Sequence, residues 1–182
     1  MLELNFSPLP EITSGRLLLR RTTTGDAGEI FFLRSNEDVM KYIDRPRAIS
    51  LQDAKDFLDL VDKSLDANDG ISWGITLREK PSKLIGYIGY WRMKKEHYRA
   101  EIGYALHPAY WKKGIMKEAI LAVLDYGFNT MQLHSVEANI NADNNASAGI
   151  LEATGFIKEA HFKEDFFFDG IFRDTIIYSK LK

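Results

Sequence analysis

Cysteine does not occur once in the 182 residues. Disulfides, thiolate metal sites and a cysteine nucleophile are thereby excluded, and the composition suits a reducing compartment. Neither sign of charge dominates: 24 Lys and Arg stand against 26 Asp and Glu, a formal net charge of −2. The chain therefore lacks the general attraction to phosphate backbones that nucleic-acid readers carry, and no nucleic-acid partner is expected. Long hydrophobic runs are missing too. Nowhere do about 18 apolar residues follow one another, so no membrane span is expected. Met1-Leu2-Glu3-Leu4-Asn5-Phe6 lacks the basic-then-apolar order of a secretion leader, which points to a cytoplasmic protein. His107, His134 and His161 show no metal-ligand spacing, so no metal is assigned. Repeats, low-complexity tracts and linkers are also absent, leaving residues 1–182 as a single expected domain.

What is present is an ordinary globular mixture, 45% hydrophobic and 27% charged. Its periodicities predict a strand over 16–21, then a helix through Leu33 opened by a capping box of Asp26 and Glu29. Ser50 is placed to cap a second helix with Ala54, Phe57, Leu58, Val61 and Leu65 as its apolar stripe. Strands over 71–78, 84–93 and 100–107, with turns between, read as an antiparallel meander. A helix over 114–130, a strand over 134–140 and a helix over 144–154 follow. Gly155 stands where a helix end most often needs a left-handed residue. Segments 163–168 and 171–181 around Asp169-Gly170 carry a strong hairpin signal. This order implies an α/β (α+β) fold, a mixed and mostly antiparallel central sheet with helices on both faces.

The stretch richest in chemistry runs from Glu101-Ile102-Gly103-Tyr104 through Pro108-Ala109-Tyr110-Trp111-Lys112-Lys113-Gly114 to Glu118-Ala119. A strand stops at a proline, a short loop bearing lysine and glycine follows, and a helix begins. Free N–H groups at a helix start, with the positive end of its dipole, form a phosphate site. The same features also fit an ordinary helix start with two solvated lysines. Other phosphate loops are absent: neither a Gly-x-x-x-x-Gly-Lys-Ser/Thr pattern nor a Gly-x-Gly-x-x-Gly after a strand occurs. One competing motif exists. Gly70-Ile71-Ser72-Trp73-Gly74 matches the Gly-x-Ser-x-Gly elbow of serine hydrolases, but its expected context is inverted, with a strand after the serine rather than before it.

The central stretch resembles the signature of the GNAT superfamily of N-acetyltransferases, whose loop reads Gln/Arg-x-x-Gly-x-Gly/Ala. It is most similar to the branch containing the Rim-type ribosomal-protein N-terminal acetyltransferases. Gly15-Arg16-Leu17-Leu18-Leu19-Arg20 extends the resemblance on one side. On the other, Asn144-Asn145-Ala146-Ser147 leads to Leu151-Glu152-Ala153-Thr154-Gly155-Phe156. Together these segments span about Gly15 to Phe156 in family order.

The resemblance implies acetyl-coenzyme A as co-substrate and direct transfer of acetyl to a primary amine. Main-chain N–H groups of Lys112, Lys113, Gly114, Ile115 and Met116 would hold the pyrophosphate. The strand end from Tyr104 to Leu106 would pair with the pantetheine arm, which Asn144 would also contact. Ser147 would protonate the leaving thiolate, and Glu101 would act as general base. Trp111 in place of Gln/Arg is usual for this branch. Met116 in place of Gly/Ala is a departure that could narrow the loop.

An amine must be neutral to attack a thioester. An α-amine, with pKa about 7.7–8.0, is roughly a tenth neutral at pH 7, whereas a lysine at about 10.4 needs roughly 3 kcal/mol more. One carboxylate acting through a water suffices for the former. Glu101 has the alternative role of a sheet carboxylate paired with Arg99 or a lysine, and Ser147 that of a first-turn serine bonding backbone. The expected acceptor is a protein or peptide N-terminal amine, with a ribosomal-protein N-terminus as the example the resemblance offers. Small-molecule amines (a polyamine, an amino acid, an antibiotic) and a non-catalytic coenzyme A-binding module are the alternatives. Tyr42, Trp91, Tyr98 and Phe167 are candidates for lining the amine cleft or for core packing. Oligomeric state is not legible here.

Overall fold

The computed structural model describes residues 1–182. Two short strands, β1 (Ile12–Thr13) and β2 (Leu17–Arg20), precede helices α1 (Ala27–Ser35), α2 (Glu37–Met40) and α3 (Leu51–Asp66). The meander follows as β3 (Ile71–Leu77), β4 (Lys80–Lys94) and β5 (Arg99–Leu106). Then come α4 (Ile115–Asp125), β6 (Ser135–Asn141), α5 (Asn145–Ala153), β7 (Ile157–Phe168) and β8 (Ile171–Leu181). All eight strands join one sheet in the order β1-β2-β3-β4-β5-β6-β8-β7. Every pairing is antiparallel except that of β5 with β6, the two strands joined through α4. The expected mixed, mostly antiparallel sheet is what forms.

Helices cover both faces, unequally. A core of 29 buried residues, including Leu19, Trp73, Ile88, Ile102, Ile120 and Val136, lies under α4 and α5. Only 8 buried residues, among them Ile30, Leu33, Leu58 and Ala105, tie α1 and α3 to the other face. At roughly 25 cal/mol per Å² of apolar area buried, the first face supplies most of the hydrophobic stabilisation. The thin core on the second face leaves room for polar side chains to reach the sheet there.

Several local expectations hold. Ser50 caps α3, its Oγ accepting from Asp53 N at 3.3 Å while Asp53 Oδ2 accepts from Ser50 N at 2.9 Å. At the end of α5, Gly155 has φ +87°. Phe156 N donates to Leu151 O and Gly155 N to Glu152 O, both at 3.0 Å, the bond pair of a Schellman motif. Asp169 and Gly170 both have positive φ, as a type I′ turn demands.

Others need correction. The first cap is not Asp26 with Glu29: a 3₁₀ turn over Thr24–Asp26 precedes α1, and Asp26 Oδ2 accepts from Thr23 N at 2.8 Å. Asp26 turns inward, where Arg20 Nη1 and Nη2 donate to it at 2.9 and 2.7 Å. Burial pushes the Asp26 carboxyl up, but Arg20 and Thr23 outweigh that and hold it below the usual carboxylate range. The helix expected over 114–130 is α-helical only to Asp125, then widens into a π turn over Tyr126–Thr130. Tyr90 Oη donates to Val123 O at 2.9 Å, intruding on the helix ladder. A Cβ on Gly127 would meet that hydroxyl at 2.3 Å, so only glycine fits beside it. The last hairpin starts earlier than expected, since β7 runs from Ile157 with a register shift between Phe162 and Phe166.

Candidate active site

β5 and β6 begin as neighbours and then part. Their parallel register covers Arg99 with Ser135, Ala100 with Val136 and Glu101 with Glu137, and goes no further. β5 nevertheless continues to Leu106 along β4, and β6 to Asn141 along β8. The facing edges of the two strands are thus open beyond Glu101. His107 N donates to Ile85 O at 2.8 Å. By the two-residue alternation of an antiparallel ladder, odd-numbered residues of β5 then bond β4 and even-numbered ones face the gap. Tyr104 and Leu106 are the even-numbered pair beside the opening. The Leu106 carbonyl is already satisfied, accepting from Trp111 Nε1 at 2.7 Å, which leaves its N–H.

At the same end of the sheet α4 begins. Lys112 and Gly114 have φ of +58° and +73°. That alternation of left-handed residues turns consecutive N–H groups toward one concavity. The main-chain N–H groups from Lys112 to Lys117 find no acceptor within the protein. Met116, the departure from the family pattern, is buried in the core beneath α4 and leaves the loop's outer side clear. The loop is braced from outside. Arg16 Nη1 donates to Lys113 O at 2.9 Å, and Arg16 Nε pairs with Glu118 Oε2 at 2.7 Å. Glu118 Oε1 accepts from Arg16 N and Ser14 Oγ, both at 2.7 Å. Burial raises the Glu118 carboxyl, yet these donors prevail and lower it below its ordinary value.

Two further clusters flank the gap, one on each face of the sheet. On the α4–α5 face, Tyr104 packs against the large core and its Oη lies 2.7 Å from Ser147 Oγ. Burial pushes the Tyr104 phenol up to about 12. Ser147 sits in the first turn of α5, where its N–H donates to Asn144 Oδ1 at 3.1 Å. Asn144 is therefore the helix cap, with its amide nitrogen left over. On the opposite face, Glu101 Oε2 accepts from Arg92 Nη1 at 3.1 Å and from Asn139 Nδ2 at 3.0 Å. Arg92 reaches it from a bulge, where Arg92 and Met93 oppose Ala100 and Arg92 has φ +45°. The expected partner of Glu101, Arg99, instead holds Glu137 at 2.7 Å.

A family model described as an acetyltransferase (GNAT) domain matches residues 16–157. The chain belongs to the GNAT family of acetyltransferases. N-acetyltransferase YoaA of Bacillus subtilis is 35% identical over 95% of this chain and 97% of its own length. A ribosomal protein uS5-alanine N-acetyltransferase of Escherichia coli is 33% identical over 42% of this chain and 39% of its own. The crystal structure of spermidine N-acetyltransferase from Vibrio cholerae, in complex with CoA and spermine, superposes with a TM-score of 0.80 at 26% identity. It covers 91% of this chain and 95% of that one. This GNAT chain is an N-acetyltransferase and its acyl donor is acetyl-coenzyme A. The open strand edge and the unpaired loop amides suit such a donor, which presents amide groups along one arm and a pyrophosphate at the other end.

Not every residue singled out by sequence gathers around this GNAT cleft. Trp91 does, its indole lying over Gly103. Tyr98 lies at the far end of β5, where its hydroxyl accepts from the Met1 ammonium at 2.8 Å. Phe167 sits exposed near the hairpin tip, packed on Phe172 with ring centroids 4.9 Å apart. Ser72 is buried within β3, so the hydrolase motif presents no nucleophile and that reading falls. The sequence reading missed the roles of Arg16 and Glu118, although both stand inside the matched motifs. It also missed Asn139, Arg92 and Tyr104's hydroxyl, for which only the fold supplies the signal.

Proposed function

We propose that this enzyme acetylates the N-terminal α-amine of a protein or peptide, by direct attack of the neutral amine on the acetyl thioester. In this reading the amides of Lys112, Lys113, Gly114, Ile115 and Met116 grip the pyrophosphate. Tyr104 and the Leu106 N–H pair with the pantetheine arm inside the gap, and Asn144 contacts that arm through its amide nitrogen. Glu101 takes the proton from the attacking nitrogen, directly or through a water. Ser147 supplies one to the departing sulfur.

The observation that carries the choice of acceptor is the pairing of carboxylates on the Glu101 face. Glu101 is matched by Arg92, Glu137 by Arg99 and Lys94, and Asp44 by Arg173. A polyamine carries several ammonium groups and needs several unpaired carboxylates to receive them. These three are all matched by cations of the protein itself. An α-amine brings a single charge beside a peptide group, and its pKa of about 7.7–8.0 asks for one base only. A ribosomal-protein N-terminus is one such acceptor, supported by the partial likeness to the uS5-alanine enzyme.

A panel of short peptides with free N-termini, set against spermidine and spermine, tests this through thiol release from acetyl-coenzyme A. The best peptide should exceed either polyamine by at least about tenfold in kcat/KM, roughly 1.4 kcal/mol of transition-state preference. A polyamine ahead of every peptide would overturn the acceptor assignment while leaving the acetyltransferase in place.

A further inference from the structure

The hydrogen bond between Tyr104 and Ser147 crosses the opening that separates β5 from the start of α5. Its two ends belong to different parts of the fold: Tyr104 comes from the strand before the α4 crossover, Ser147 from the helix after it. Main-chain groups of Tyr104 face the same gap that the thioester must enter. A serine hydroxyl is a poor acid on its own, because giving up its proton leaves an alkoxide. A second, more acidic hydroxyl behind it removes that obstacle.

We infer that Tyr104 is a positioning and proton-relaying residue for Ser147, a reading that rests on Ser147 being the group that protonates the leaving thiolate. The phenol, the stronger acid of the two, donates to Ser147 Oγ and thereby turns the serine proton toward the sulfur. When the tetrahedral intermediate collapses, the C–S bond breaks and its electron pair stays on sulfur. Sulfur takes the proton from Ser147 Oγ, and Ser147 Oγ takes the proton from Tyr104 Oη. The phenolate regains a proton from solvent water once coenzyme A has left. No alkoxide forms at any stage. Burial keeps the phenol protonated at neutral and mildly alkaline pH, where the amine loses its own proton, so the relay is loaded when the nucleophile attacks.

A double-mutant cycle decides the matter, with Tyr104→Phe, Ser147→Ala and the double variant measured on the best amine of the acceptor panel. General acid catalysis of this kind contributes about 10²-fold or more, so Ser147→Ala should lower kcat by about that factor. Tyr104→Phe should lower kcat about tenfold while the KM for acetyl-coenzyme A stays within about twofold. In the Ser147→Ala background, removing the phenol hydroxyl should change kcat no further. Equal losses in both backgrounds would show that Tyr104 acts independently of Ser147 and overturn the relay, as would an unchanged kcat in Tyr104→Phe alone. Ser147→Ala with wild-type kcat would remove the acid role of Ser147 itself and the relay with it. Calorimetric binding of coenzyme A to each variant reports that the cleft is folded.

Discussion

At the scale of single residues, the work asked of Glu101 depends on how much of the acceptor is already neutral. Below the α-amine pKa of about 7.7–8.0 most acceptor carries a proton that must be removed before attack, and above it most does not. Glu101→Gln keeps the shape of the side chain and its contact with Arg92 while deleting the base. The expected loss in kcat/KM is about 10²-fold at pH 7, shrinking to less than about tenfold by pH 9.5. A pH–rate profile with the same loss at every pH would reassign Glu101 to structure. Glu101 was singled out in the sequence by its family position alone, and the structure supplies its surroundings. Its partners were not legible in sequence. Arg99 lies two residues away on the same face and is the natural guess, yet Glu137 of β6 engages its guanidinium and the bulge at Arg92 brings a different arginine to the carboxylate. Asp26 is a similar case. Thr23 with Asp26 and Asp26 with Glu29 have the same three-residue spacing, and only the buried contact with Arg20 chooses between them.

Among elements, the start of α4 illustrates how motifs distant in sequence become one device. Gly15-Arg16 and Glu118-Ala119 read as separate matches, but Glu118 gathers Ser14 and Arg16 and so ties β1–β2 to the loop that precedes the helix. Glu118→Gln weakens that brace without touching the cleft. The KM for acetyl-coenzyme A should rise about tenfold, with kcat changed much less, since small misplacements of binding groups carry costs of that order. Stability follows a definite sign. The folded carboxyl lies below its ordinary value, so its contribution is complete above the unfolded pKa of about 4.3 and disappears as pH falls through the folded value. Urea midpoints should therefore drop more between pH 5 and pH 3 in the wild type than in Glu118→Gln. Parallel pH dependences would mean the carboxylate gains nothing from its donors. Long periodic elements such as α3 and β5 were readable from their apolar spacing alone. β1 and α2, with 2 and 4 residues, are too short to show a period. The π turn after α4 answers to Tyr90, a contact 33 residues distant that no local pattern records.

For the molecule as a whole, the order of elements was enough to anticipate a mixed sheet with helices on both sides. The point at which β5 and β6 separate was not visible, because β5 reads as one continuous strand whether its far edge is paired or open. That separation gives the free enzyme a distinctive pattern of exposed amides. Residues 103 and 105 bond β4, whereas Tyr104 and Leu106 present N–H groups to the gap, and those from Lys112 to Lys117 have no partner. Binding of acetyl-coenzyme A should therefore slow hydrogen exchange at Tyr104, Leu106 and the 112–117 loop, and leave Gly103 and Ala105 nearly unchanged. Such alternation along one strand distinguishes insertion into the gap from a general tightening, which would slow odd and even positions together. The same binding stabilises the fold by mass action, about 2.7 kcal/mol at a hundred times Kd. For a chain of this size that corresponds to a rise in Tm of about 5–10 °C. If exchange at Tyr104 and Leu106 stays unaltered while Tm rises, the donor binds elsewhere on the sheet and the gap between β5 and β6 is not its channel.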